Sequence, residues 1–581
     1  MTTPSPRGLF GPRFARDLWR LTRFYWTSPD APIGAMLLLG AIALELLTVR
    51  ASVAIADAER QIFDALGDRD VTMFFGAMGI FLTVIGGFVL SSTLRIYVRA
   101  RLEIRWRERV TATFLERWMG PEAYTQVELN PTRIDNPDQR IADDVRTYVA
   151  SALGLSLSLL SAVATLYSFG WLLWQMSANW PVHIGDHELW IPGLMLWVAI
   201  LYAIIATFVT HLVGRSLVPI NFDRLRYEAD FRYGLVHFRD NVEPVALARG
   251  QHFERRAARG RFGRVIENWL ELIGAQARLT LFTTGISQAN GLIPILIGAP
   301  AYFARHLTLG SLAQTRIAYG QLSAALAWFV NGYQEIAQWR ASIERLSSFL
   351  DSLDEAREHL AATPGVQVDT GTDENLRLAG VRLDAPDGRV LLAPATAELH
   401  AGERVALVGP AGTGKTTLFR AIAAIWPFGA GRIEVPPRSR MMFLTQRPYI
   451  PLGTLREALT YPAQGDAFPD AKVHEVLEFV GLGRLVPKLD REDAWEHALS
   501  GDERQRVVFA RVLLHEPDWI FGDDATASLD EAMEKRVYEI LRERLPHATL
   551  LSITQRPAAI AYHNRRWTIV PHAGGAELQT T

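Results

Sequence analysis

Gly409-Pro410-Ala411-Gly412-Thr413-Gly414-Lys415-Thr416-Thr417 decides how this chain is read. An apolar run, Val405-Ala406-Leu407-Val408, precedes it, and a helical Leu418-Phe419-Arg420-Ala421-Ile422 comes after. Strand, glycine loop and helix in that order match the phosphate-binding pattern G-x-x-x-x-G-K-[ST] in the context its chemistry needs. The glycines let backbone N–H groups close around phosphates, and the helix N-terminus adds a positive dipole. Lys415 is expected to reach the outer phosphates of a nucleotide, and the Thr416 hydroxyl to sit on Mg²⁺. The chain holds four lysines, Lys415, Lys472, Lys488 and Lys535, among 60 Lys and Arg, and none precedes position 415. A chain that otherwise writes its cations as Arg has kept Lys where a compact ammonium must sit among phosphates.

A lone glycine loop says only that a nucleotide is bound, so the segments downstream of it carry the finer reading. Met441-Met442-Phe443-Leu444-Thr445-Gln446 reads as a strand ending in a polar residue, with Gln446 placed to meet Mg²⁺ and an attacking water. Leu499-Ser500-Gly501-Asp502-Glu503-Arg504-Gln505-Arg506 opens a helix after a turn of small residues. Trp519-Ile520-Phe521-Gly522-Asp523-Asp524 is an apolar strand ending in two carboxylates, of the kind that holds Mg²⁺ and water in phosphoryl transfer. Ala525-Thr526-Ala527-Ser528-Leu529-Asp530 continues directly from it. In this order and spacing the segments resemble the nucleotide-binding domain of ABC transporters, as Q-loop, signature helix, Walker B strand and D-loop.

That resemblance implies ATP and Mg²⁺ as cofactors, with Thr416, Gln446 and Asp523 around the metal. It implies Asp524, Gln446 and the residue at 555 as the catalytic set. The domain then works as a head-to-tail pair, in which Ser500, Gly501 and Asp502 of one copy, with Asp530, complete the nucleotide site formed by the loop 409–417 of the other. Four positions depart from the family pattern. Asp524 stands where Glu is expected, which withdraws a water-activating carboxylate by about one methylene; general-base help, worth roughly 10²–10⁴ in rate, depends on that reach. Gln555 stands where a histidine is expected and can donate to a phosphate but cannot carry a proton. Ala385-Pro386 lies where an aromatic often stacks on adenine, and Asp502 replaces a glycine, adding negative charge near a partner's phosphates. These departures point to slow hydrolysis.

The first half is of another kind. At 581 residues, 49% of them apolar, with 16 Trp and 27 Phe, the chain is too long for one ordinary domain and too apolar for a purely soluble one. The mixed Arg, Trp, Phe and Tyr of residues 8–29 suggest an amphipathic helix at a membrane interface. Six apolar segments lie beyond it, near 33–49, 74–97, 150–176, 189–213, 279–303 and 312–333, each near the roughly 20 residues that cross a bilayer. The sixth is the most polar, with Gln314, Arg316, Tyr319, Gln321 and Asn331, and is expected to help line a cavity. Arginines crowd the segments after spans two (Arg99, Arg101, Arg105, Arg107, Arg109, Arg133) and four (Arg215, Arg224, Arg226, Arg232), whereas residues 177–188 hold no Lys or Arg. The positive-inside rule puts both Arg-rich connections and the N-terminus in the cytoplasm.

Ile104-Arg105-Trp106-Arg107, Asp135-Asn136-Pro137-Asp138-Gln139-Arg140-Ile141 and Glu228-Ala229-Asp230-Phe231-Arg232 are similar to motifs of SbmA/BacA-type membrane domains. With an ATPase domain fused behind it, the whole resembles the BacA-related bacterial ABC transporters and the peroxisomal D-type transporters. The expected fold is an all-α, six-helix transmembrane domain of the exporter type, followed by an α/β P-loop domain. Expected boundaries are 1–30 for the interfacial helix, 31–350 for the membrane domain, 351–375 for a linker and 376–581 for the nucleotide-binding domain. The resemblance implies a homodimeric transporter in a bacterial inner membrane, its cargo a hydrophilic peptide or a cobalamin-like molecule, with import the direction expected. An ATP-gated pathway with weak hydrolysis, or an acyl-CoA transporter, stand as alternatives. The net charge of −2 gives no nucleic-acid footprint. The absence of cysteine excludes disulfides and thiol chemistry. His183 and His187 share a loop with Asp186 and read as solvated. The N-terminal stretch has no signal-peptide core.

Overall fold

Apolar stretches longer than a soluble core needs become long helices here. The structure is a computed structural model that describes residues 11–120, 136–178, 181–184, 187–362, 365–371, 374–437, 440–572 and 574–580. Arg133, Asp135, Asp186 and the side chains of His183, His187 and Asn331, all singled out above, lie outside the described residues. The chain divides into two units, one built from residues up to 116 with 136–349, the other from residue 350 onward together with 117–120.

In the first unit, α1 (Pro12–Trp26) is followed by α2 (Ala31–Asp68) and α3 (Val71–Trp118). A π-turn at Arg140–Asp144 leads into α4 (Val145–Met176), and a short hairpin, Pro181–Ile184 with His187–Trp190, leads to α5 (Leu194–Gly214). Then come α6 (Leu217–Asp240), α7 (Val242–Leu247), the 53-residue α8 (Gln251–Phe303), α9 (Leu309–Leu326) and α10 (Trp328–Ala362), which runs on into the second unit. Among the described residues five helices, α2, α3, α4, α5 and α8, are long and apolar enough to cross a membrane. The sixth expected span is α9, shorter and more polar, continued by α10.

The face of α1 carrying Phe14, Leu21 and Tyr25 is buried in the protein itself, while Trp19 points outward. Trp106 of the Ile104–Arg107 motif is what holds that face. Its ring lies 6.0 Å from Tyr25, 5.8 Å from Trp26 and 5.8 Å from Tyr148, in one stacked and two edge-on contacts. The Asn136–Ile141 segment starts a helix with Pro137 at its first position, and the buried Asp144 two turns on takes a bidentate bond from Arg345 of α10, at 2.8 and 2.5 Å.

Several polar groups on the membrane helices pair with one another. Arg95 donates to both oxygens of the buried Glu45 at 2.7 and 2.8 Å. Gln314 donates to Asp57 at 3.5 Å, and Asp64 accepts from the Gly310 amide at 2.9 Å. The expectation that the polar residues of the sixth span line a cavity is therefore corrected for two of them. Gln314 and Tyr319 are buried where α9 packs against α2 and α4; Gln314 meets Asp57 there, while the Tyr319 hydroxyl has no hydrogen-bond partner among the described residues. Arg316 and Gln321 are exposed.

In the second unit a six-stranded sheet has the order 577–580, 565–570, 404–408, 549–553, 519–523, 441–444, all parallel except its first strand. Both faces are covered, so these strands read as continuous apolar runs. Phe521 sits fully buried at their centre, stacked 4.6 Å from Phe443 and edge-on 5.8 Å from Phe419. A second sheet orders strands 367–370, 429–435, 376–384 and 390–399. Its first strand, Gln367–Thr370, falls in the stretch read as linker and pairs in parallel with Gly429–Val435. The Gly, Thr and Asp around it mark turns, but Val368 inserts beside the core and the alternation is too short to read as a strand.

Gly310 marks the tightest helix contact, since a Cβ there would stand 2.1 Å from the Arg60 carbonyl oxygen. Gly310→Ala is expected to lower the unfolding midpoint of the detergent-purified protein, at a cost of about 1–3 kcal/mol from overpacking. Gly320→Ala, whose Cβ would meet nothing within 4 Å, is expected to leave it unchanged.

Candidate nucleotide site

Register brings the sequence motifs to one end of the sheet. Leu407 pairs with Ile553, and Ile553 with Asp523, so the residues just past these three parallel strands emerge side by side. Crevices at the carboxyl ends of parallel strands are where α/β sheets bind ligands. The segments 409–417, 523–524 and 554–555 meet there. The Asp524 amide donates to the Ile553 carbonyl at 3.1 Å, and the Gln555 side-chain amide donates to the Gly409 carbonyl at 3.1 Å.

The loop has the shape a phosphate needs. Gly409, Gly412 and Gly414 take φ of 156°, 78° and 88°, where a side chain would be strained. At Gly409 a Cβ would also stand 2.6 Å from the Ile569 carbonyl oxygen. Thr413 donates to the Pro410 carbonyl at 2.9 Å and tightens the turn; Pro410 and Ala411 are exposed at its tip. The Lys415 ammonium is buried and donates to the carbonyls of Gly409 and Pro410 at 2.8 and 2.6 Å, bonds that phosphate oxygens can replace. Thr416, exposed, and Thr417 lie in the first turn of the helix Lys415–Ile422, whose free N–H groups face the loop. These residues fit a nucleoside triphosphate. A divalent ion bound largely through phosphates needs one or two protein carboxylates and a hydroxyl, which Asp523 and Thr416 can provide.

The charges here are coupled. Burial pushes the Lys415 ammonium below its usual range, with Asp524 and then Asp523 acting in the opposite sense. Burial first and Asp523 second push the Asp524 carboxyl above the ordinary carboxylate range, against Lys415 and Arg556. Asp524 is also one of the few non-glycine residues with positive φ, at 46°. Such backbone strain collects at functional sites.

The other expected residues lie further out. Ser500 and Gly501 are exposed at the start of the helix Gly501–His515. Ser500 accepts from the Glu503 amide while Glu503 accepts from the Ser500 amide, a reciprocal cap. The negative charge expected from Asp502 is locally answered. Arg506, one turn on, donates to it at 2.6 Å, and Ser500 donates to its other oxygen. Those two bonds, the Ser500 one foremost, hold the Asp502 carboxyl below its usual range. The i, i+4 spacing of Asp502 and Arg506 is a sequence signal for this pairing that the motif reading passed over. Gln446 is exposed; its backbone carbonyl accepts from the buried Gln505 at 3.5 Å. Asp530 caps the helix Glu531–Arg544 by accepting from the Met533 amide at 2.7 Å. Ala385 and Pro386 form a turn, and neither brings an aromatic ring to the site. Among the described residues no group of three His, Cys, Asp or Glu is placed to hold a metal alone.

Comparison with known proteins agrees with this geometry. Residues 22–303 match the family described as ABC transporter transmembrane region 2, and residues 392–527 the family described as ABC transporter. The inner membrane ABC transporter ATP-binding protein YddA of Escherichia coli (strain K12) is 30% identical over 92% of this chain and 94% of its own length. The lysosomal cobalamin transporter ABCD4 of Mus musculus is 25% identical over 99% of this chain and 98% of its own. A solved bacterial Atm1-family ABC exporter with ATP bound superposes with a TM-score of 0.64 at 19% identity, covering 93% of this chain and 94% of that one. The fold is thus the exporter-type ABC fold.

Loss of the buried ammonium is the direct test of the cradle. Lys415→Ala is expected to weaken binding of a fluorescent ATP analogue about ten- to hundredfold, the size of one or two charge-assisted hydrogen bonds. An affinity within about twofold of the parent would remove Lys415 from phosphate binding.

Proposed function

We propose a function from one premise: the chain belongs to the ABC transporters, as a half-transporter of the D type with membrane region and ATP-binding domain fused. It is a multi-pass membrane protein that binds ATP and couples its hydrolysis to transport. Beyond that, two copies pair, and each supplies Ser500, Gly501 and Asp502 to the nucleotide held by the other's residues 409–417. The observation that carries the reading is the meeting of Lys415, Asp523, Asp524 and Gln555 at the ends of adjacent parallel strands, in a chain with five membrane-length helices. Thr416, Asp523 and the Q-loop Gln446 would hold Mg²⁺, which would supply positive charge against the phosphates. Asp524 orients the attacking water, and Gln555 approaches the terminal phosphate.

Turnover is slow. Asp524 is a carboxylate one methylene shorter than the expected Glu, and Gln555 is a donor that cannot relay a proton. ATP binding therefore does much of the gating. The cargo is a hydrophilic solute, a peptide or a cobalamin, moved inward across a bacterial inner membrane with the N-terminus in the cytoplasm. Support comes from the arginines of the C-terminal part of α3 (Arg99 to Arg109) and those that follow α5, the exposed Arg316 and Gln321 of α9, and the name carried by the mouse relative.

In proteoliposomes the parent is expected to hydrolyse ATP slowly, Asp524→Asn to stop hydrolysis, and Asp524→Glu with Gln555→His to raise it about tenfold or more. Ordinary turnover that neither change raises would sink the slow-site reading. ATP-dependent uptake of radiolabelled cobalamin or a short peptide tests the cargo, and uptake of an acyl-CoA instead would replace it.

A further inference from the structure

The loop between Asp524 and Asp530 is gripped from two sides, by Arg556 and by Gln505. Arg556, the residue after Gln555, reaches three of its backbone carbonyls. Nη1 donates to Thr526 at 3.2 Å and to Leu529 at 3.0 Å, and Nη2 donates to Ala527 at 3.0 Å. The same Nη1 lies 3.4 Å from Glu534, a carboxylate 2% exposed whose other partner is the Thr526 hydroxyl at 2.5 Å. From the opposite side Gln505, 1% exposed, accepts from the Ser528 amide at 2.8 Å. The loop's own turns, Ala527 amide to Asp524 carbonyl and Leu529 amide to Thr526 carbonyl, are both 3.0 Å.

We propose that Arg556 is the positioning residue for Asp524, acting through the loop 525–529. A non-glycine residue persists in the left-handed region only where its surroundings over-determine it. Here the amide of Asp524 is tied to Ile553, its carbonyl to Ala527, and the carbonyls of the next residues to one guanidinium. Only a planar fork delivers three such bonds in fixed directions; an ammonium is a point charge on a flexible stem. Among the described residues the hydrogen bonds of the Arg556 guanidinium go to the turn 526–529, whereas its neighbour Gln555 donates to Gly409. Two consecutive residues therefore hold the phosphate loop and the carboxylate turn from one short segment. The inference rests on the reading of Asp524 as the residue that orients the attacking water.

The test uses the full-length protein in lipid nanodiscs, measuring kcat, KM, binding of a fluorescent ATP analogue and thermal unfolding. Arg556→Lys retains a cation for Glu534 but loses the fork; it is expected to lower kcat at least about fivefold with KM and analogue affinity within about twofold of the parent. Removing Arg556 alone strands a buried carboxylate, so the second variant is the double Arg556→Ala with Glu534→Gln, for which the same split is expected. Parent-like kcat in both variants overturns the inference. So does a parallel fall of kcat, affinity and unfolding midpoint in both, which is the signature of general loosening. Asp524→Asn is the control that separates the two claims. If it keeps parent turnover, the site reading itself fails; if it stops turnover while Arg556→Lys changes nothing, only the role of Arg556 falls.

Discussion

A buried ammonium facing two adjacent carboxylates is the constraint on which the ATP-binding half depends. Lys415 and Asp524 act on each other's ionisation, with Asp523 acting on both, so the buried ammonium and the half-buried carboxylates depend on one another. Such a cluster needs a scaffold that does not move, and the parallel sheet provides one. Three of its inner strands, 404–408, 549–553 and 519–523, end within two residues of the phosphate loop, Gln555 and Asp524, and Phe521 is stacked between Phe443 and Trp519 beside them. The glycines then solve a second problem, because the chain must turn back over the strand ends closely enough to surround phosphates.

The membrane half obeys the same logic in a different solvent. Long apolar helices satisfy their backbone internally, so what remains is to place the few polar side chains. Glu45 with Arg95 joins α2 to α3, and Asp57 with Gln314 and Asp64 with the Gly310 amide join α2 to α9. The buried Glu45 in particular fixes which face of α2 meets α3, since a rotated helix would leave its charge without a partner. The Trp106 cluster does comparable work at the start of the chain, where aromatic edges and faces rather than charges hold α1.

Departures from the family pattern look different once their neighbours are known. Asp502 reads as a stray negative charge, yet Arg506 answers it within one helical turn and Ser500 shares it. Asp524 reads as a shortened side chain, yet its backbone is what stands out, held left-handed by a turn that three other segments tie down. In both cases the substitution sits inside a local network that absorbs part of its cost.

What the amino-acid sequence determined by itself is the chemistry carried by short, contiguous motifs. The loop 409–417, the pair Asp523-Asp524 and the turn at Ser500-Gly501 depend on local geometry and fixed spacing, which is why they are legible without a structure. The apolar spans are legible for a similar reason, since crossing a bilayer needs only length and composition. Tertiary structure alone decided contacts between segments far apart in the chain. Nothing in Gln314 or Tyr319 tells which face of their helix is buried, and nothing in Arg556 tells that its fork closes on three carbonyls some thirty positions upstream. The strand Gln367–Thr370 was hidden for the same reason, because four residues in a turn-rich stretch become a strand only when Gly429–Val435 presents an edge to them. Local sequence specifies what a residue can do; packing among distant segments selects which of those capacities is used.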